Sequence, residues 1–270
     1  MRAMGTIRRS HYQIRQRARK GQAPGSARIA VLADLHNRVY HCDVPTLIRA
    51  IQEENCDAVL SAGDLVVMKG DLFATDQAIR LCSELARMMP VFLANGNHET
   101  RMERLHAAKY RRYEEALKES GVICLHNTCM AAVLKDLPVC IAGLELDRRY
   151  FRNKFHKDLY VEEIRERIGP GRPDRFQILL AHHPKYFPVY AKWGADLTLS
   201  GHLHGGIVRL PWLGGVISPD PELFPHYDRG LYEEGEARMI VSAGLGTHTI
   251  NFRLNNPAEL VIADITVEHE

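Results

Sequence analysis

The chain has 270 residues, 46% of them hydrophobic and 25% charged, with a formal net charge of +2. That supports one substantial core and is an ordinary charge content for a soluble protein. No apolar run approaches the roughly 18–20 residues of a membrane span, and no internal repeat or low-complexity tract points to a repeat or disordered protein.

The small net charge conceals an asymmetry. No Asp or Glu precedes Asp34, while Arg2, Arg8, Arg9, Arg15, Arg17, Arg19, Lys20 and Arg28 are all basic. Removing these eight from 35 basic residues leaves 27 against 33 acidic ones, so the remainder carries about −6. This arm lacks the apolar core of a secretory signal. Its Arg-rich, acid-poor character resembles an organellar transit peptide, but Tyr12-Gln13-Ile14-Arg15 alternates as a strand does. The expected organisation is a basic arm or strand at 1–27 and one domain at 28–270. The arm's expected role is a flanking strand plus tail. Weak contact with an anionic membrane or a nucleic acid is the alternative, and no obligate protein partner is indicated.

A Gly/Pro/Ser turn at 21–26 leads into a buried strand at 28–33, which ends at Asp34-Leu35-His36. A helix follows, with Asp43 as N-cap, Pro45 in its first turn and Val44, Leu47, Ile48 and Ile51 on one face. A second strand at 57–62 ends at Gly63-Asp64. A helix at 75–89 precedes a third strand at 90–94, which ends at Gly96-Asn97-His98-Glu99. This β-α-β-α-β run predicts a largely parallel sheet. Open α/β sheets bind ligands outside the carboxyl ends of their strands, and each strand here ends in polar, metal-competent residues.

In the second half a polar helix is expected at 102–120 and strands at 122–125 and 139–144. A basic, aromatic segment at 148–157 reads as a solvated loop, with a substrate rim as the sharper alternative. A helix at 158–168 precedes a strand at 176–181 that ends at His182-His183-Pro184. The strand at 195–200 ends at Gly201-His202-Leu203-His204-Gly205-Gly206, where Gly201 and Gly205 permit a close approach that a Cβ would obstruct. Late strands fall at 239–243 and 260–267. Cys42, Cys56, Cys82, Cys124, Cys129 and Cys140 show no C-x-x-C spacing. They read as reduced thiols of a cytosolic protein.

Five strand ends thus carry Asp34-x-His36, Gly63-Asp64, Gly96-Asn97-His98-Glu99, His182 and His202-x-His204. First-row ions take four to six ligands. One ion would not use the whole set; two sharing a carboxylate would. Nitrogen and oxygen donors without thiolate suit Mn, Fe or Zn, whereas calcium would want more oxygens. His183 is expected to face away from the cluster. Glu99 reads as a support of the ligands. His41, His106, His126, His156 and His226 read as ordinary surface or core residues.

The order D-x-H, G-D, G-N-H-E, H, G-H-x-H over residues 34–204 resembles the calcineurin-like metallophosphoesterase superfamily. The tail is similar to its bacterial YkuE/YaeI-like phosphodiesterase branch. The residues that carry this are Gly205-Gly206-x-Val208-Arg209-Leu210-Pro211, Arg229-Gly230-Leu231-Tyr232, Val241-Ser242-x-Gly244-Leu245-Gly246-Thr247 and Asn256-Pro257-Ala258-Glu259-Leu260. The resemblance implies an α/β, four-layer αββα sandwich: two mixed β-sheets face to face with helices outside, the metallo-dependent phosphatase fold. It implies two divalent ions, with Mn favoured over Fe or Zn. Asp34, His36, Asp64 and His204 would hold the first; Asp64, Asn97, His182 and His202 the second. A metal-bridging hydroxide would attack phosphorus. His98, with Asn97 beside it, would contact the phosphate, and His98 would protonate the leaving group.

Three departures narrow this. Protein Ser/Thr phosphatases read G-D-x-x-D-R-G where this chain reads Gly63-Asp64-Leu65-Val66-Val67-Met68-Lys69. The Asp that would orient His98 is therefore Val67, and the phosphate-gripping Arg is missing. The metal-binding Tyr of purple acid phosphatases would fall at Val67 too. The roughly 60 residues after His204 leave little room for the second domain of DNA-end-processing relatives. The expectation is a phosphoesterase that favours diesters. The alternatives are a lipid-linked pyrophosphatase of the UDP-sugar-lipid type, a phosphomonoesterase, or an inactive metal-binding scaffold.

Overall fold

The computed structural model describes residues 7–69, 72–151, 157–206, 208–210, 214–217, 225–247 and 253–269. Arg2, residues 152–156 of the basic segment (His156 among them) and Pro211 lie outside the described residues. In chain order the first half contains β1 (Arg8–Arg17), β2 (Gly25–Leu32), α1 (Val44–Glu53), β3 (Ala58–Ser61), β4 (Val67–Lys69), β5 (Leu72–Ala74), α2 (Asp76–Ala86), β6 (Val91–Leu93), α3 (Asn97–Leu105) and α4 (Ala107–Glu119). The second half contains β7 (Ile123–Cys124), β8 (Thr128–Leu134), β9 (Leu137–Leu144), α5 (Val161–Ile168), β10 (Phe176–Ala181), α6 (Phe187–Trp193), β11 (Leu197–Ser200), β12 (Val208–Leu210), β13 (Gly214–Ile217), β14 (Gly230–Glu234), β15 (Ala237–Val241) and β16 (Glu259–Glu268). Short 3-10 turns lie at Arg148–Phe151 and Pro184–Tyr186.

Two sheets of six strands carry the fold. The first runs β1-β16-β2-β3-β6-β7 and the second β14-β15-β11-β10-β9-β8. In the first, β2, β3, β6 and β7 are parallel and β16 is antiparallel to β2. In the second, β9, β10, β11 and β15 are parallel, with β8 and β14 antiparallel at the edges. The alternation of side chains across each strand builds the layers. Ile29 and Val31 of β2 pack with Ile178 and Leu180 of β10 between the sheets. Ala30 and Leu32 face outward onto α1 and α2. Leu179 and Ala181 face outward to Ile164, Tyr190 and Trp193 of α5 and α6. Both faces of the central strands are buried, so they read as continuous apolar runs in the sequence. The expected four-layer αββα sandwich of two mixed sheets is the observed architecture.

The helices start where chemistry satisfies their first amides. Asp43 accepts from the Thr46 amide at 2.8 Å and caps α1, with Pro45 in the first turn. Thr75 precedes α2 without a side-chain bond. Asn37 caps that helix from a distance, its Oδ1 accepting from the amides of Gln77 (2.8 Å) and Ala78 (3.1 Å).

The basic arm is in part a strand. β1 pairs in parallel with β16 from Arg8↔Glu259 to Arg17↔Glu268. Arg9 pairs with Glu53 and Glu54, Arg19 grips Asp196 through two 2.6 Å bonds, and Arg28 meets Asp264 at 2.6 Å. No helix among the described residues is long and apolar enough to cross a membrane.

Two expectations are corrected. The helix expected at 102–120 is two helices, because α3 begins at Asn97 and the chain breaks at His106, whose φ is −141° and ψ 52°. The break lets α4 bury Tyr110, Tyr113 and Leu117 while α3 stays at the strand ends. The reading of six reduced thiols also fails. Cys129 and Cys140 form a disulfide, leaving Cys42, Cys56, Cys82 and Cys124 free. The β8–β9 hairpin aligns Cys129 with Ala142 and Ala131 with Cys140, so the two cysteines are diagonal neighbours with Cα atoms 6.5 Å apart. Their separation of eleven residues matches no sequence motif; only the hairpin register joins them.

Candidate metal centre

Every predicted ligand sits just beyond a parallel strand. Asp34 and His36 follow β2, Asp64 follows β3, and Asn97 and His98 open α3 after β6. From the other sheet, His182 follows β10, and His202 and His204 follow β11. The side chains converge between the sheets. Ligand atoms of Asp34, His36 and His204 lie within 4.8 Å of one another, as do those of Asp64, His182 and His202, and those of His36, Asp64 and His98. Nε2 of His36 and of His204 are 3.0 Å apart, and Nε2 of His204 is 3.4 Å from Asp34 Oδ1. Nε2 of His182 is 3.0 Å from Asp64 Oδ2 and 3.8 Å from Asp34 Oδ1. Asp64 thus groups both with His182 and His202 and with His36 of the first set.

The backbone is bent to achieve this. Asp34, His36, Asp64, His202 and His204 all have positive φ, between 47° and 73°. Non-glycine residues avoid that region, and such conformations gather where a site over-determines the chain. Gly201 packs against the Asp34 carboxylate and Gly96 against that of Asp64, at contacts a Cβ would overlap.

Supporting groups aim the ligands. His202 N–H donates to both Asp34 oxygens at 3.1 and 3.0 Å, and His98 N–H to Asp64 Oδ1 at 2.8 Å. His182 Nδ1 lies 2.8 Å from the Ala62 carbonyl, which turns Nε2 inward. Glu99 is fully buried, and its carboxylate accepts from the amides of Asp64 (2.9 Å), Val66 (3.1 Å) and Gly96 (3.0 Å). It thereby fixes the Asp64 loop to the start of α3. Burial, reinforced by the Asp64 charge, pushes Glu99 up to about 7. Burial also pushes Asp34 up to about 6. For His182 the largest influence, burial, lowers the pKa. The Asp64 carboxylate outweighs it and the group rises to about 10.

A carboxylate orients His98 in protein phosphatases, as the resemblance has it; here a backbone amide takes that place. Met68 N–H donates to His98 Nδ1 at 2.9 Å, which leaves the neutral ring's proton on Nε2. His183 does not turn away as expected. It is buried beside the cluster, its ring centroid 4.7 Å from that of His202, and it lies outside the three convergent groups. Sequence reasoning assigned no role to Arg253, Asn256 or Glu259, although the tail motif contains two of them. Asn256 Nδ2 donates to the carbonyls of His204 (2.6 Å) and Gly206 (2.8 Å). Arg253 Nη2 lies 3.3 Å from His204 Nδ1, and Glu259 accepts from Ala243 N–H at 2.8 Å.

The donor set fits divalent cations. Two carboxylates and five imidazoles are buried together. Asn97 Oδ1 is buried with no hydrogen-bond partner among the described residues. A buried cluster of acceptors of this kind is stabilised by a cation, and the mixed nitrogen and oxygen donors suit a first-row ion.

The signature of the calcineurin-like phosphoesterase family matches residues 27–206. The chain belongs to that family and is a metal-dependent hydrolase of phosphate esters. It is 25% identical over 244 residues to phosphodiesterase YaeI of Escherichia coli K12, covering 88% of this chain and 82% of that protein. It is 26% identical over 243 residues to the metallophosphoesterase YkuE of Bacillus subtilis 168, covering 87% and 77%. Among solved structures, TT1561 of Thermus thermophilus aligns at 12% identity with a TM-score of 0.49, over 82% of this chain and 91% of that one.

Proposed function

We propose that the chain hydrolyses phosphodiesters at a pair of divalent ions, Mn being the preferred metal. The observation that carries this reading is the two ligand groups on either side of Asp64: Asp34 with His36 and His204, and Asp64 with His182 and His202. Asn97 Oδ1 completes the second set, and Asp64 is shared. Two ions so held would supply Lewis-acid stabilisation of phosphoryl charge and a water acidic enough to act as nucleophile near neutral pH. His98 offers a fixed Nε2–H to the phosphoryl or leaving oxygen, its ring held from behind by the Met68 amide. An Asn ligand leaves the cluster less negative than a third carboxylate would, which favours an anionic substrate.

The test is hydrolysis of bis(p-nitrophenyl) phosphate by chelator-treated protein before and after addition of Mn²⁺, with p-nitrophenyl phosphate in parallel. Restored turnover with the diester ahead supports the reading. A faster monoester moves it to a phosphomonoesterase. No metal-restored turnover of either ester leaves a scaffold.

A further inference from the structure

We propose that the cleft running outward from Asn97 along α3 is a second anion-binding subsite, which selects phosphodiesters bearing another phosphate on their organic arm. The inference deepens the phosphodiesterase reading and rests on it. The cleft holds about 640 Å³ and is lined by Asn97, Arg101, Arg104 and Leu105 on one side and by Arg148 and Phe151 on the other. That volume is typical of a small-molecule site.

The cleft is continuous with the metal centre along both walls. Asn97 belongs to both, and residues four, seven and eight further along the helix share its face. Opposite, the Phe151 ring stacks on His183 with centroids 5.1 Å apart and meets His202 edge-on at 5.0 Å. At 1.5 Å of rise per residue, Arg101 and Arg104 lie about 6 and about 10 Å along the axis from Asn97. That is the span of one sugar-sized unit. Leu105, 48% exposed, and the half-buried Phe151 supply apolar surface for such a unit to pack on.

The charge is arranged to receive an anion. Arg101, Arg104 and Arg148 are exposed, and none forms an ion pair among the described residues. Some exposed arginines elsewhere are paired, Arg80 with Glu84, Arg149 with Asp147 and Arg165 with Glu162, while others such as Arg111 and Arg112 are not paired among the described residues, so what distinguishes the three is that they line one cavity. The cleft's own carboxylate, Asp147, is already engaged by Arg149 at 2.9 and 2.8 Å and approached by Arg167 at 3.9 Å. Three guanidinium-bearing side chains lining one cavity concentrate positive charge there, which an anion would relieve. Guanidinium also matches phosphate in a bidentate way.

The experiment measures binding, so that it stays separate from the turnover assay. Thymidine 3′,5′-bisphosphate and thymidine 5′-phosphate are titrated calorimetrically into the Mn²⁺-loaded protein. The bisphosphate is expected to bind at least about tenfold tighter, as two charge-assisted bonds would give. In the doubly substituted Arg101→Ala/Arg104→Ala protein and in Arg148→Ala the ratio should fall towards one. Raising salt from about 0.05 M to about 0.5 M should shrink it in the unmodified protein. Vesicles containing phosphatidate compete in a parallel arm. Arginine-dependent displacement of the bisphosphate by them would assign the second phosphate to a lipid headgroup, and none would assign it to a soluble ester; both keep the subsite. Equal affinity for the two nucleotides, or a preference that survives loss of the arginines, overturns it. Failure to hydrolyse either nitrophenyl ester would instead overturn the catalytic reading.

Discussion

The two sheets contribute different chemistry to one site. The first brings both carboxylates, Asp34 and Asp64, with Asn97, His36 and His98. The second brings only imidazoles: His182, His202 and His204. The carboxylates therefore sit on one wall, and the other offers imidazole nitrogens alone. Neither wall makes a complete donor set, so the site exists only when the sheets pack. The inter-sheet core of Ile29, Val31, Leu60, Ile178, Leu180 and Leu199 holds that packing. Both walls store the same strain, with left-handed backbone at Asp34, His36 and Asp64 on one and at His202 and His204 on the other. A cation stabilises the pair of walls in a way it cannot stabilise either alone.

Asp64 is where the comparison is most exposed to failure, because its carboxylate belongs to the first wall and touches the second at His182. Asp64→Asn keeps the shape and removes the charge. We expect turnover to fall by about 10³-fold, the upper range for losing one electrostatic stabiliser, and metal analysis to show depletion of both ions. Two ions retained in this variant would break the idea of a shared carboxylate. The histidine pair sharpens it further. His204 groups with Asp34 and His36, and His202 with Asp64 and His182. His204→Ala and His202→Ala should each lose mainly one ion, a different one in each case. Equal loss of both ions from each variant would show that the pair does not divide.

Packing of the two walls around cations predicts a thermal signature of its own. Mn²⁺ at about 100 times its Kd adds about 2.7 kcal/mol to the folded state. For a chain of this size that is a rise of about 5–10 °C in Tm, reversed by chelator and measurable by calorimetry. A melting temperature indifferent to metal would mean that the walls are already balanced without it.

The strand ends were legible because an apolar run stops at a polar residue able to bind metal, with a glycine between them at Gly63, Gly96 and Gly201. Parallel strands put such ends on one edge, so the positions of Asp34, Asp64, Asn97, His182, His202 and His204 beyond the strands could be read from the sequence alone. What was not legible depends on register and on backbone. The Cys129–Cys140 bridge follows from the β8–β9 pairing, which local pattern does not encode. The partner of His98 is an amide at Met68, and every residue offers an amide, so no side chain announces it. Arg253 reaches His204 across 49 positions of sequence. His183 was misjudged because alternation holds along a strand and fails in the turn that follows β10, where a 3-10 turn begins at Pro184.

The far end of the first sheet is the control for all of this. Arg28 in the first half of β2 meets Asp264 of β16 at 2.6 Å, and Asp264 also accepts from Gln13 at 2.7 Å. Burial opposes ionisation of Asp264, and the Arg28 hydrogen bond and charge outweigh it, so its carboxyl is held below the ordinary value of 3.8. A depressed folded pKa stabilises the protein above the unfolded value and ceases to do so as pH falls through the folded one. The contribution is thus complete above about pH 4 and lost on further acidification. The pair is partly exposed, with Arg28 at 41%, so solvent screens it to about 0.2–1 kcal/mol. Asp264→Ala should therefore lower Tm by no more than about 4 °C at neutral pH and by less below pH 4 or in high salt, while metal content and diester turnover stay as they were. An Asp264→Ala protein that lost metal would mean that the two ends of the sheet are coupled, and that the strand ends do not form an independent site.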